Sequence, residues 1–227
     1  MDEDIKKNVL KTGTTILGIV CKDGVVMAAD RQITGGGSIV VGKNFPKVVQ
    51  INDYLVSSWT GGVADAQRLG KIVSAELRLK ELRSKTRPSV KQSASLTGNI
   101  TYQNIRQPSM IPSIVGTLVA GYNEDGSTEL YTVEPAGSVQ KVEDYDANFG
   151  SGMPYVLGLL ERQYKTGMGV EQGIELAKEA LKSSTQRDTA SGYGIDIFTI
   201  KKKGIKKEVE QTINSDFQDD KKETKKE

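Results

Sequence analysis

Lys11-Thr12-Gly13-Thr14-Thr15-Ile16-Leu17-Gly18-Ile19-Val20 carries a charged leader into Thr-Gly and then, without pause, into a β-branched, apolar run. After Lys22-Asp23-Gly24 comes a second run, Val25-Val26-Met27-Ala28-Ala29-Asp30. Two such runs joined by a short turn containing Asp-Gly predict a β-hairpin. The first residue of that hairpin is unusual. A cut between Gly13 and Thr14 would give Thr14 a free amine beside its own hydroxyl. A threonine hydroxyl is a weak nucleophile at neutral pH and needs a base. A terminal amine, with a pKa of roughly 7.7–8.0, is one such base. On these ten residues alone, ordinary strand threonines and a loop glycine explain the pattern as well.

Outward from the hairpin, Gly35-Gly36-Gly37-Ser38 predicts a loop, and 39–41 a short strand. Pro46 favours extended backbone at Phe45. Residues 47–51 and 54–60 read as strands paired around Asn52-Asp53. Ala66, Leu69, Ile72, Val73 and Leu77 then recur at helical spacing, which predicts a helix over 65–83 capped by Asp65. A Ser- and Thr-rich helix is expected over 88–105, and strands over 113–121, 127–134 and 138–142. Helices follow at 155–164, behind Pro154, and at 170–184. Strands at 193–200 and 205–209 end the pattern. Hairpins dominate and βαβ alternation does not. The predicted class is therefore α+β: two antiparallel sheets packed together and covered by helix pairs, a four-layer α/β/β/α sandwich. The expected organisation is a leader over 1–13, one domain over 14–210 and a charged, disordered tail over 211–227.

Composition narrows the chemistry. The 227 residues are 37% hydrophobic and 26% charged, enough for one sizeable core. Residues 201–227 hold nine lysines against seven acids, which equals the whole net charge of +2. The rest is balanced and has no global basic footprint for nucleic acid. There is no histidine, which removes Ser-His-Asp and Cys-His mechanisms and every histidine metal site. The single Cys21 allows no disulfide within the chain and reads as a buried structural thiol. What remains is hydroxyl, amine, lysine and carboxylate chemistry, with no cofactor and no metal expected. Residues 1–13 lack the apolar core of a signal peptide, and no run approaches the ~18 apolar residues of a membrane span. A cytoplasmic protein is expected.

Five segments together resemble a proteasome β-subunit of the archaeal type, an N-terminal-nucleophile hydrolase of the threonine peptidase family. They are Thr12-Gly13-Thr14-Thr15, Cys21–Arg31, Gly61–Gln67, Gly150-Ser151-Gly152 and Ser191–Asp196, and the resemblance spans about residues 8–205. It implies autocatalytic removal of the leader between Gly13 and Thr14, then cleavage of peptide bonds through an acyl-enzyme on Thr14. It implies that Asp30 and Lys47 support the nucleophile, that the Gly61 N–H faces the oxyanion, and that Ser151, Asp188 and Ser191 surround the terminal amine. By the same resemblance Ile33, Phe45, Val49, Trp59 and Val63 line the substrate pocket. The implied partners are proteasome α-subunits and other β-subunits in stacked seven-membered rings, an ATPase regulator acting through the α ring, and unfolded polypeptide as substrate.

The chain departs from that pattern in three places. Ile16 stands where active members usually carry a third threonine. Trp59 stands where smaller residues usually line the pocket, and an indole there would shrink or fill it. Gly35-Gly36-Gly37 shifts the spacing between Asp30 and Lys47 by about one residue. Two functions therefore follow from the sequence. One is a threonine endopeptidase subunit. The other is a structural β-subunit that retains its leader and supports a partner catalytic subunit.

Overall fold

The computed structural model describes residues 13–202 and 204–213, so most of the expected leader and of the charged tail lies outside the described residues. In chain order the strands are β1 (Ile16–Cys21), β2 (Gly24–Asp30), β3 (Ile33–Gly35), β4 (Ile39–Gly42), β5 (Val48–Asn52) and β6 (Leu55–Gly61). Two helices follow, α1 (Val63–Ser84) and α2 (Val90–Ile105), then β7 (Val115–Tyr122), β8 (Thr128–Val133), β9 (Val139–Val142) and β10 (Tyr145–Asp146). Helices α3 (Met153–Gln163) and α4 (Val170–Thr185) precede β11 (Gly194–Lys201) and β12 (Gly204–Thr212).

The strands form two five-stranded antiparallel sheets, ordered β10-β1-β2-β11-β12 and β5-β6-β7-β8-β9, with β3 and β4 as a separate two-stranded ribbon. Period-two alternation explains how the layers stack. Ile16, Val25, Met27 and Ala29 point inward and meet Val48, Val56, Leu118, Ala120 and Leu130 of the other sheet. Their neighbours Leu17, Ile19, Val26 and Ala28 point the other way and bury Val156, Leu160, Ala177 and Leu181 of α3 and α4. On the far side Leu55, Val119 and Tyr131 pack against Leu69, Val73 and Leu77 of α1 and Val90 and Ala94 of α2. The result is the expected α+β sandwich of two sheets between two helix pairs. No helix among the described residues is long and apolar enough to cross a membrane.

Several local expectations are corrected. Asp65 does not cap α1: the N-cap is Gly62, with no side-chain cap, and Asp65 lies in the first turn, where its charge suits the helix dipole. A single residue, Gly62, separates β6 from α1, and it has no side chain to cap with. Helix α2 is capped by Ser89, whose hydroxyl accepts from Gln92 N–H at 3.1 Å while Gln92 Oε1 accepts from Ser89 N–H at 3.0 Å. Thr14 and Thr15 precede β1 rather than beginning it. Strands β3 and β10 were not expected. Strand β12 runs to Thr212, past the expected start of the tail at 211, because Gln211 and Thr212 pair with Ile195 and Gly194.

Candidate active site

The register of the first hairpin sets the site. Ile16 pairs with Ala29, so Thr15 and Asp30 lie side by side where the two strands end. Asp30 N–H donates to Thr15 O at 3.1 Å, and Thr15 N–H donates to Asp30 Oδ1 at 2.8 Å. The Asp30 side chain has no exposed surface, yet its carboxylate is fully partnered. Oδ1 also accepts from Lys47 Nζ at 2.6 Å, and Oδ2 accepts from the N–H groups of Gln32 and Gly192 at 2.9 and 3.0 Å. Burying an ion pair is favourable only when its remaining hydrogen-bonding groups are satisfied in this way. Lys47 is buried too, and burial lowers its pKa from the ordinary lysine value while the adjoining Asp30 charge opposes that fall.

A second cluster surrounds the Thr14 nitrogen. Thr14 N–H donates to Ser151 Oγ at 3.1 Å, and Ser151 Oγ donates to Asp188 Oδ2 at 2.6 Å. Ser191 Oγ donates to the same carboxylate oxygen at 2.6 Å. Ser151 comes from the Gly-rich loop before α3, and Asp188 and Ser191 from the loop between α4 and β11. The Thr14 hydroxyl donates to Gly13 O at 2.6 Å, beside the Gly13–Thr14 bond.

These groups stand at the head of a cleft of about 680 Å³. Thr14, Lys47 and Gly61 line it, as do all five expected pocket residues, Ile33, Phe45, Val49, Trp59 and Val63. Gly61 has φ +112°, and a Cβ there would meet Ile114 O at 2.1 Å, so only glycine fits the turn from β6 into α1. Trp59 does not fill the cleft. It is 8% exposed and forms a wall, with indole atoms 3.6–3.8 Å from where a Cβ on Gly70 of α1 would stand. The large ring lies back against α1 over Gly70.

The sequence reading missed several residues that shape the site. Gln32 donates through Nε2 to Thr189 O at 2.9 Å and to Thr34 Oγ1 at 2.8 Å, and Thr34 Oγ1 donates to Ala190 O at 3.2 Å. These bonds hold the Asp188–Ser191 loop against the ribbon. Thr15 Oγ1 meets Ser191 Oγ at 2.7 Å and also meets Ser184 Oγ of α4. Behind them Arg31 Nη1 pairs with buried Asp196 at 2.6 Å, which ties the end of β2 to β11. Only Thr15, Arg31 and Asp196, within quoted motifs, carried any local signal; most of the other contacts join residues far apart in sequence.

The family model described as Proteasome subunit matches residues 10–200. A protein named Proteasome subunit beta from Nanoarchaeum equitans is 41% identical over 194 residues, 86% of this chain and 96% of that relative. One of the same name from Methanopyrus kandleri is 38% identical, over 84% of this chain and 88% of its own. Proteasome subunit beta 2 from Aeropyrum pernix is 36% identical over 88% of this chain and 87% of its own. Sandwich, site geometry and relatives agree, and the chain belongs to the proteasome β-subunit family.

Proposed function

We propose that this chain is a catalytic β-subunit of a proteasome core particle, a threonine endopeptidase that removes its own residues 1–13 and then cleaves unfolded polypeptide. The observation that carries this reading is the placement of Thr14. It lines the cleft, its nitrogen donates to Ser151 Oγ, which is bonded to Asp188, and Lys47, paired with Asp30, lines the same cleft.

In the maturation step the Thr14 hydroxyl attacks the Gly13 carbonyl carbon. The acyl group passes from nitrogen to oxygen, and water then hydrolyses the ester, which frees the leader and the Thr14 amine. In turnover that amine takes the hydroxyl proton as the oxygen attacks a substrate carbonyl. The proton passes to the leaving amine, the N-terminal part of the substrate remains as an ester on Thr14, and water releases it. Lys47 as a cation favours the developing alkoxide, and Asp30 orients it. A backbone donor such as Gly61 N–H, facing the oxyanion, typically contributes ~3 kcal/mol. We assign Asp188, Ser151 and Ser191 to holding the amine.

The same reading places the subunit in the cytoplasm, in seven-membered β rings stacked between α rings, with substrate delivered by an ATPase regulator. Its test is Thr14→Ala, which should abolish both leader removal and peptidase activity in assembled particles. A variant that still processes itself normally would sink the assignment of Thr14.

A further inference from the structure

We propose that Thr15 and Ser184 are positioning residues of this site. Their hydroxyls form a one-way hydrogen-bond chain, Ser184 to Thr15 to Ser191 to Asp188, that orients the Asp188 carboxylate beside Ser151 and the Thr14 nitrogen. The inference rests on the threonine-peptidase reading above.

The direction of the chain follows from proton bookkeeping. Asp188 Oδ2 takes bonds from Ser151 Oγ and Ser191 Oγ, each at 2.6 Å, and Oδ1 takes one from Ala190 N–H at 3.1 Å. An ionised carboxylate only accepts, so both serine protons are committed to it. Ser191 Oγ then has only lone pairs to offer Thr15 Oγ1, 2.7 Å away, so Thr15 donates. The single Thr15 proton is thereby used, so its contact with Ser184 requires Ser184 to donate. On the other branch Ser151 has also given its proton, and it meets Thr14 nitrogen purely as an acceptor. After leader removal Ser151 therefore holds one N–H of the amine and leaves the nitrogen lone pair for the Thr14 hydroxyl.

The inner part of the chain, from Ser184 to Ser191, is sealed from water, and Asp188 at its end is half-buried. Thr15 and Ser184 have no exposed surface, and Ser191 is almost as buried. A hydroxyl in such a place is costly when unpaired. Gly152 makes the room: a Cβ there would fall 1.8 Å from Thr15 Oγ1 and 2.3 Å from Ser184 Oγ. Ser184 grips Asp188 a second time, through its carbonyl, which accepts Asp188 N–H at 2.7 Å. Thr15 in turn places its own N–H on Asp30 Oδ1, the oxygen that holds Lys47. Thr15 thus joins the Lys47–Asp30 half of the site to the Asp188 half through side chain and backbone together, beside the backbone link from Gly192 N–H to Asp30.

The test uses assembled particles and a fluorogenic peptide. Thr15→Val, which keeps shape and loses the hydroxyl, should lower kcat by roughly tenfold with KM within about twofold, because a buried network loses a bond that the reacting geometry depends on. Thr15→Ser, which keeps the hydroxyl, should stay within about twofold of wild type. Ser184→Ala should cost roughly threefold to fivefold, and adding it to Thr15→Val should cost nothing further, since it acts through the same hydroxyl. Undiminished kcat in Thr15→Val, or losses that multiply in the double variant, would overturn the inference. Where Thr15→Val does not assemble, Ser184→Ala decides, and unchanged kcat there overturns it as well. A wild-type particle with no activity overturns the peptidase reading, and the inference with it; an active wild type with indifferent variants overturns this inference alone.

Discussion

A Cβ on Gly13 would stand 1.8 Å from the Cβ of Ala190, and 2.9 Å from that residue's Cα and carbonyl oxygen. The loop that carries Asp188 and Ser191 therefore closes directly over the Gly13–Thr14 bond. Position 13 has room for a hydrogen and nothing larger.

Gly13→Ala should accordingly displace the bond from the Thr14 hydroxyl. A shift near 1 Å in reacting geometry costs on the order of a hundredfold in rate. Leader removal, followed by intact mass over time, should slow by that order. Ala190→Gly in the same chain should recover part of it, because it removes the severest contact and leaves the two backbone contacts at 2.9 Å. Processing of Gly13→Ala at the wild-type rate would show that the Ala190 contact does not constrain the bond.

Lys47 gives the pH dependence a sign. Burial lowers its pKa below the ordinary value of 10.5, and Asp30 partly restores it. The Lys47 cation in the cleft is thus lost, as pH rises, before a free lysine would lose it. Activity should fall on the alkaline side at a pH below 10.5, and Asp30→Asn should move that limb lower still, because it removes the charge that holds the proton. The measurement is kcat/KM against pH. A rate that climbs steadily through this region would mean that neutral Lys47 is the working form.

Trp59 lies against α1 over Gly70 and forms one wall of the cleft. The indole narrows the cleft as a wall and does not close it, and large apolar P1 residues should be accepted. Gly70→Leu should push the ring into the cleft and lower kcat/KM for Leu or Phe at P1 by roughly tenfold or more, while Ala at P1 changes by less than about twofold. A panel in which all P1 residues fall together would place the effect elsewhere.

Cys21 supplies a check on the core. Burial, assisted by the Asp23 charge, pushes its thiol up to about 12. The thiolate is the reactive form, so iodoacetamide at pH 8 should leave the folded protein unmodified and label it fully once unfolded. Rapid labelling of the folded chain would contradict the packing of α4 on β1.

The sandwich was legible because its signals are local. Alternation in Ile16–Cys21 and Gly24–Asp30, and the helical spacing of Leu69, Val73 and Leu77, each specify an element and its buried face without help from distant residues. Strands β3 and β10, of three and two residues, exist only because a partner lies alongside, and no periodicity fits in so few residues. The site divides in the same way. Thr14, Asp30, Gly61, Ser151 and Ser191 stand in the quoted motifs, and Lys47 and Asp188 were expected from the resemblance alone. Ser184 meets Thr15 across a separation of 169 residues, inside a helix whose sequence reads only as amphipathic. The resting place of Trp59 likewise lies on another element, over Gly70 of α1.

The most direct test of the proposed activity is the intact mass of this subunit in assembled particles from its native cell. A chain beginning at Thr14 is predicted, with the amine free and the nucleophile complete. A chain that still carries residues 1–13 in mature particles would contradict it and assign the subunit a structural role beside a separate catalytic β-chain.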